Sequence, residues 1–228
     1  MPTVIVCLSG SGFMDGSEIH EAAQTLLALD QAGADAVICA PEMPQARVID
    51  HKTRKPSGGE RRSVLAESAR IARGRISNIA ELSARDADAL IFPGGFGVAH
   101  NLCTFAGDSA NCSVHPEVER LILEMHAAEK PIGAICIAPV LVARVLGRKR
   151  IAATLTIGDD PETAKAIERM GCHHRICRPG GWVADEEHRI VSTPAYMYDS
   201  RPAVVFEGIH GMVGEVMKLA SMHACARH

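Results

Sequence analysis

The chain has 228 residues, of which 47% are hydrophobic and 22% are charged, and its formal net charge at pH 7 is −3. This length and composition fit a soluble globular protein, and we expect a single domain over residues 1–228 that buries its own core. A slightly negative chain offers no electrostatic reason to expect nucleic acid or an anionic membrane as a partner.

The first residues predict a buried strand and not a signal peptide. No basic region precedes the apolar run at residues 3–8, and a Ser/Gly turn follows it directly. No apolar run is long enough to span a bilayer. We therefore expect a cytoplasmic location and no membrane partner. The eight cysteines are scattered through apolar segments, which favours reduced and mostly buried thiols.

Short apolar runs alternate along the chain with longer amphipathic ones. The predicted strands are residues 3–8, 35–40, 88–92, 131–135 and 189–193. The predicted helices are residues 16–32, 115–129, 137–146, 160–170 and 204–222. Continuous apolar strands that alternate with helices predict an α/β fold with a parallel sheet covered on both faces. The basic, turn-rich stretch 51–63 is predicted to be a solvated loop, with an anion-binding loop over the site as the weaker alternative.

Cys136 is the first candidate site residue, because a strand ends at Ile135 and a helix begins almost at once. A residue at such a sharp turn presents its side chain above the carboxyl edge of the sheet, where open α/β sheets bind ligands. The helix N-terminus favours the thiolate, so we expect a lowered pKa and a reactive sulfur. The competing interpretation is a structural thiol like Cys7 or Cys39.

Two further segments follow strands at the same predicted edge. In Pro93–Gly97, glycines let backbone amides approach a ligand, and the amides of Gly95 and Ile137 are candidates for binding the oxygen of an adduct on Cys136. In the second segment, Asp15 is predicted to cap a helix, and Glu18 to act as acid or base or simply to complete a capping box. Glu21 is predicted to lie on the surface.

No cofactor or metal is expected from the remaining patterns. Gly10-Ser11-Gly12 would need a third glycine at position 15 to bind a dinucleotide, and Asp15 stands there. His173-His174 lie between two cysteines at a spacing that matches no zinc pattern, so we predict a solvated turn.

Several motifs together resemble the ElbB-like proteins of the PfpI-like, class I glutamine amidotransferase-like superfamily. They are Leu8–Gly12, Asp15–Ala22, Ala66–Gly74, Phe92–Gly97 and Pro131–Pro139. The resemblance spans almost the whole chain. It implies a three-layer, flavodoxin-like sandwich, a homodimer, and a glyoxalase-type activity that converts glyoxal to glycolate without a cofactor.

The resemblance also implies roles for individual residues. Cys136 corresponds to the elbow cysteine, the turn at Gly94-Gly95 and the amide of Ile137 to the oxyanion-binding groups, and Glu18 to the acidic partner. Counted back from the helix end at residues 32–33, Glu21 falls at the matching distance, so both glutamates stay open.

One departure from the superfamily bears on activity. Proteolytic and amidotransferase-like relatives have a histidine that serves the cysteine, but Ile137 follows Cys136 and residues 154–158 contain no histidine. A Cys-His-acid triad is therefore not expected, nor is glutaminase or peptidase activity. Conversion of a small aldehyde substrate needs only a thiol and a carboxylate. The alternative is a non-enzymatic, redox-sensitive or regulatory protein.

Overall fold

A computed structural model describes residues 1–226 of the chain, with side chains described up to position 222. Its centre is a seven-stranded sheet in the order β10-β11-β7-β6-β1-β2-β5. The strands are β1 (Thr3–Cys7), β2 (Asp35–Ala40), β3 (Ile49–Asp50), β4 (Lys55–Pro56), β5 (Ser77–Asn78), β6 (Ala89–Phe92), β7 (Ile132–Ile135), β8 (Thr154–Leu155), β9 (His173–His174), β10 (Val183–Asp185) and β11 (Ile190–Thr193).

The sheet is parallel except at one edge, where β10 pairs antiparallel with β11. The five predicted strands are confirmed as β1, β2, β6, β7 and β11, which are consecutive neighbours in the middle of the sheet. The carboxyl ends of the parallel strands β11, β7, β6 and β1 therefore lie side by side along one edge.

Helices cover both faces of the sheet, which confirms the predicted three-layer α/β sandwich. They are α1 (Ile19–Gln31), α2 (Val64–Ile71), α3 (Phe105–Asp108), α4 (Pro116–Ala127), α5 (Pro139–Arg148), α6 (Pro161–Arg169) and α7 (Pro202–Ala226). Helices α1 and α7 pack together on one face, and α4 and α5 on the other. Alternate residues of β1 reach the two cores, because Val4 and Val6 pack with the α1/α7 layer and Ile5 and Cys7 with the α4/α5 layer.

Some local predictions differ from the structure. His173 and His174 form strand β9 beside β8, not a turn, because the backbone of this segment pairs with Thr154 and Leu155. Residues 51–63 are largely exposed, as predicted, although they include one strand of the β3–β4 hairpin. All seven cysteines whose side chains are described are free, buried thiols.

Within the described residues, no helix is both long and apolar enough to cross a membrane. No group of three or more His, Cys, Asp or Glu side chains in the same part of the chain is arranged to hold a metal ion.

Gly133 permits close packing of α7 on β7. A Cβ atom at this position would lie 2.9 Å from Met212 Sδ and 3.0 Å from Ile91 Cγ1. We expect Gly133→Val to lower the free energy of unfolding by about 1–3 kcal/mol through overpacking, measured by urea denaturation.

Gly214 gives the matched control, since an added Cβ there meets no atom within 4 Å. Gly214→Ala should raise stability by about 0.5–1 kcal/mol, because alanine loses less backbone entropy in a helix. Equal stabilities of Gly133→Val and the wild type would contradict the packing argument.

Candidate functional site

Cys136 occupies the turn between β7 and α5 with φ of 60°. Its backbone N–H donates to the Thr193 carbonyl at 2.9 Å, and the Ala138 N–H donates to the Ile135 carbonyl at 2.9 Å. The left-handed conformation costs a non-glycine residue about 1–3 kcal/mol and persists where its surroundings enforce it. The predicted elbow is therefore present, and it directs the side chain into the space above the carboxyl edge of the sheet.

The Cys136 sulfur is nearly enclosed, with the residue only 8% exposed. The N–H groups of Gly95 and Ile137 and the carboxyl group of Glu21 lie close to the sulfur and act on its pKa. Burial, followed by the charge and hydrogen bond of Glu21, raises the pKa of the Cys136 thiol well above its usual value. The expected lowering of this pKa is wrong, because burial outweighs the two amides.

Glu21 is fully buried, although the sequence favoured a surface position for it. Its Oε2 accepts from the Gly94 N–H at 2.9 Å, and its Oε1 accepts from the Tyr196 N–H at 3.2 Å. Burial raises the pKa of Glu21 to about 8, and the charge of Glu18 adds to this rise. At neutral pH the carboxyl group is mostly protonated and can donate its proton towards the Cys136 sulfur.

Glu18 forms the N-cap of α1, where its Oε2 accepts from the Glu21 N–H at 2.7 Å. The carboxyl group that acts on the pKa of the thiol is therefore that of Glu21, not Glu18. Contrary to the prediction, Asp15 does not cap this helix. It is buried, and its Oδ2 accepts from the Ile49 N–H at 2.7 Å, so it fastens the β3–β4 hairpin to the loop after β1.

The glycines after β6 are required by close contacts. A Cβ at Gly94 would lie 2.5 Å from the Cys136 Cβ and 2.6 Å from Glu21 Oε2. Gly95 has φ of 98° and would collide with the backbone of Glu18 if it carried a side chain. The Gly94 N–H is already bound to Glu21, so the amides directed at the sulfur are those of Gly95 and Ile137.

A cavity of about 460 Å³ opens above the Cys136 sulfur, and several of its lining residues were not singled out in the sequence. The lining residues are Phe13, Glu18, Gly95, Phe96, Ala99, Phe105, Ala106, Cys136, Ile137, Asp160, Thr163, Tyr196 and Met197. Tyr196 follows β11. Because ligands bind at the carboxyl ends of parallel strands, this position was a sequence signal that could have identified Tyr196 as a site residue.

No histidine is among the described residues that line this cavity. His20, the histidine closest to the site in the sequence, shares a 2.9 Å hydrogen bond between its Nδ1 and the Tyr196 hydroxyl. It therefore contacts Tyr196 of the cavity lining without lining the cavity itself.

The raised pKa of Glu21 makes stability depend on pH. This carboxyl titrates near 4.5 when unperturbed and near 8 when folded, so the folded state keeps a proton that the unfolded chain releases. The stabilisation is complete below about pH 4.5 and is lost as the pH rises towards 8. Between pH 5 and 9 we expect Glu21→Gln to gain stability relative to the wild type, on the order of a few kcal/mol, in denaturant titrations.

Glu81→Gln is the control, because Glu81 is exposed and its loss should leave the pH dependence unchanged. Glutamine at position 21 has one amide oxygen and one NH₂ group, so its NH₂ group faces one of the two backbone N–H donors. This repulsion should change the stability of Glu21→Gln by an amount that does not depend on pH. A Glu21→Gln difference that is the same at pH 5 and pH 9 would refute the buried, proton-retaining carboxyl.

No family model matches the chain. The chain is 46% identical over 225 residues to "ES1 protein homolog, mitochondrial" of Rattus norvegicus, an alignment that covers 95% of this chain and 83% of the relative. It is 46% identical over 225 residues to "Glutamine amidotransferase-like class 1 domain-containing protein 3, mitochondrial" of Homo sapiens, covering 95% and 82%. These names correct the expected cytoplasmic location, because relatives this similar are mitochondrial and composition carries no organelle address.

Solved structures agree with the fold. The isoprenoid biosynthesis protein with amidotransferase-like domain from Ehrlichia chaffeensis superposes with a TM-score of 0.90 at 36% identity, over 96% of this chain and 99% of that one. Glyoxalase III from Candida albicans superposes with a TM-score of 0.61 at 12% identity, over 94% and 97%, which supports the fold alone. The chain belongs to the glutamine amidotransferase-like class 1 family that includes the ES1 proteins.

Proposed function

We propose that this protein is a glyoxalase-type enzyme that needs no cofactor and converts small 2-oxoaldehydes to 2-hydroxy acids, as in glyoxal to glycolate. The observation that carries the proposal is the buried carboxyl group of Glu21, which has a pKa of about 8 and lies beside the thiol of Cys136 at the strand–helix elbow. A carboxyl whose pKa lies near the working pH can both take up and return a proton. We assign the nucleophile to Cys136 and the acid/base role to Glu21.

The first step joins the sulfur to the aldehyde. Glu21 in its carboxylate form takes the thiol proton while the Cys136 sulfur forms a bond to the aldehyde carbon, whose oxygen becomes an alkoxide. The N–H groups of Gly95 and Ile137 already lie at the sulfur, so the new oxygen two bonds away is within their reach. Glu21 then returns the proton to that oxygen, which gives a hemithioacetal.

The second step moves a hydrogen between carbons. Glu21 removes the proton from the carbon that carries sulfur, and the electrons form an enediolate with the neighbouring carbon. Glu21 then returns this proton to the second carbon, while the hydroxyl proton of the first carbon passes to the oxygen of the second. The sulfur-bearing carbon becomes a thioester as the other becomes a hydroxymethine or hydroxymethylene group. Water then attacks the thioester, the carbon–sulfur bond breaks, and the thiol regains its proton. One carbon is oxidised and the other reduced, so no external oxidant is needed.

Membership of this family supports the fold on which the proposal depends. The reaction itself is tested by the experiments below. Glyoxalase III shares the fold, while relatives at 46% and 36% identity carry names that refer to ES1 and to isoprenoid biosynthesis. The ElbB-like identity, the small aldehyde substrate and the homodimer stay predictions. Light scattering of the purified protein would measure its mass in solution and so test whether it is a homodimer.

Two other activities receive less support. Glutaminase or peptidase chemistry requires a histidine beside the nucleophile, and none of the described residues lining the Cys136 cavity is a histidine. A redox-sensing cysteine is typically exposed and has a low pKa, whereas Cys136 is buried and its pKa is raised.

Replacement of the nucleophile tests the proposal directly. We expect Cys136→Ala to lower kcat/KM for glyoxal at least about a hundredfold, because the covalent route is lost. Glyoxal consumption and glycolate formation are followed together. Cys177→Ala, which removes a buried thiol outside the cavity, is the control. Equal rates for Cys136→Ala and wild type would rule out the proposed enzyme.

Replacement of each glutamate separates their roles. Glu21→Gln should lower kcat/KM by about 10²–10⁴-fold. The wild-type profile should rise through about pH 8, as Glu21 loses its proton and becomes a base, and this rise should vanish in the variant.

Glu18→Gln keeps an oxygen that can accept from the Glu21 N–H at the helix cap. We expect it to retain the rise, moved to a lower pH, because the charge of Glu18 no longer raises the pKa of Glu21. A larger loss for Glu18→Gln than for Glu21→Gln would transfer the acid/base role to Glu18.

A further inference from the structure

The cavity above Cys136 is larger than the smallest 2-oxoaldehyde requires. Its volume is about 460 Å³, within the range of about 300–1,000 Å³ typical of pockets for larger small molecules. Glyoxal carries no side group, so it would leave most of this space to water. The size of the cavity therefore points to a substrate with a substituent.

Three phenylalanines from separate segments meet at the cavity. Phe13 follows β1, Phe96 follows β6 and Phe105 begins α3. Phe13 and Phe96 are 41% and 51% exposed. Exposed aromatic rings grouped on a concave surface indicate a binding site for an apolar or aromatic group.

Acidic side chains contribute to the cavity lining. Glu18 and Asp160 contribute carboxyl groups to the lining, and none of the described lining residues is lysine or arginine. Residues of the basic stretch 51–63 do not line it either. An anionic substrate such as a keto acid or a phosphorylated aldehyde would face these carboxyl groups, and no lysine or arginine among the described lining residues would offset the repulsion. The cavity thus favours a neutral ligand.

We propose that the cavity selects neutral 2-oxoaldehydes with an aryl-sized apolar substituent, for which phenylglyoxal is the probe. This inference rests on the proposed function. The aldehyde carbon bonds the Cys136 sulfur, and the substituent on the neighbouring carbonyl lies against Phe96 and Phe105. The same proton transfer adds the elements of one water and yields mandelate from phenylglyoxal, with one carbon oxidised and the other reduced.

Steady-state kinetics test the selection. We expect wild-type kcat/KM for phenylglyoxal to exceed that for glyoxal at least about tenfold, since an apolar pocket discriminates by such factors per buried group. Phe105→Ala should lower this ratio about tenfold. Phe206→Ala, a matched phenylalanine on α7 that does not line the cavity, should keep it. Turnover of glyoxal with an equal or lower rate for phenylglyoxal would overturn the inference and leave the proposed function standing.

A binding measurement on the wild-type protein tests the aryl selection without any turnover. Acetophenone and acetone are inert carbonyl compounds that differ by a phenyl group. Acetophenone should protect Cys136 from alkylation by iodoacetamide at a concentration at least about tenfold lower than acetone, read by mass spectrometry of the Cys136 peptide. No turnover of either aldehyde would reject the proposed function. Equal protection by the two ketones would reject the aryl selection.

Discussion

The burial of one carboxyl group organises this site. Glu21 lies beneath the Cys136 sulfur, and its two oxygens accept from the Gly94 and Tyr196 backbone amides. Each partner follows a different strand, so the sheet must bring the carboxyl ends of β1, β6, β7 and β11 together for the carboxyl group to find its donors. A buried carboxyl is tolerated when it is hydrogen-bonded and can keep its proton. Its pKa of about 8 reflects both effects, because burial raises the pKa and the two backbone hydrogen bonds lower it.

The same constraint explains the local backbone. Gly94 and Gly95 leave no room for a side chain between Cys136, Glu21 and the start of α1. Cys136 holds a left-handed φ, because its N–H is fixed to Thr193 on the neighbouring strand. Strain of this kind persists where packing and hydrogen bonds determine the conformation from several sides. The thiol and the carboxyl are thus held at a fixed separation before any ligand arrives, as nucleophile and base must be.

The central fold followed from local patterns because the relevant signals are local. The five predicted strands lie in the middle of the sheet. Four of them, β1, β6, β7 and β11, are buried along almost their whole length and read as mainly apolar runs, whereas β2 is buried only towards its carboxyl end. The edge strands β5 and β10 have two and three residues, too few for a period-two pattern to emerge. Strand and helix patterns carry no information about the mitochondrial location that the names of the relatives give.

The sequence by itself determined the α/β sandwich, the elbow at Cys136 and the glycine turn beside it, because each depends on residues adjacent in the chain. The choice between Glu18 and Glu21 was decided by the tertiary structure. Both residues stand at the start of the same helix, and which of them turns into the protein depends on where α1 begins and how it lies against the turn at Gly94. The raised pKa of the Cys136 thiol was decided in the same way. A helix N-terminus lowers such a pKa, but burial is a property of all the segments that close over the sulfur and here it dominates.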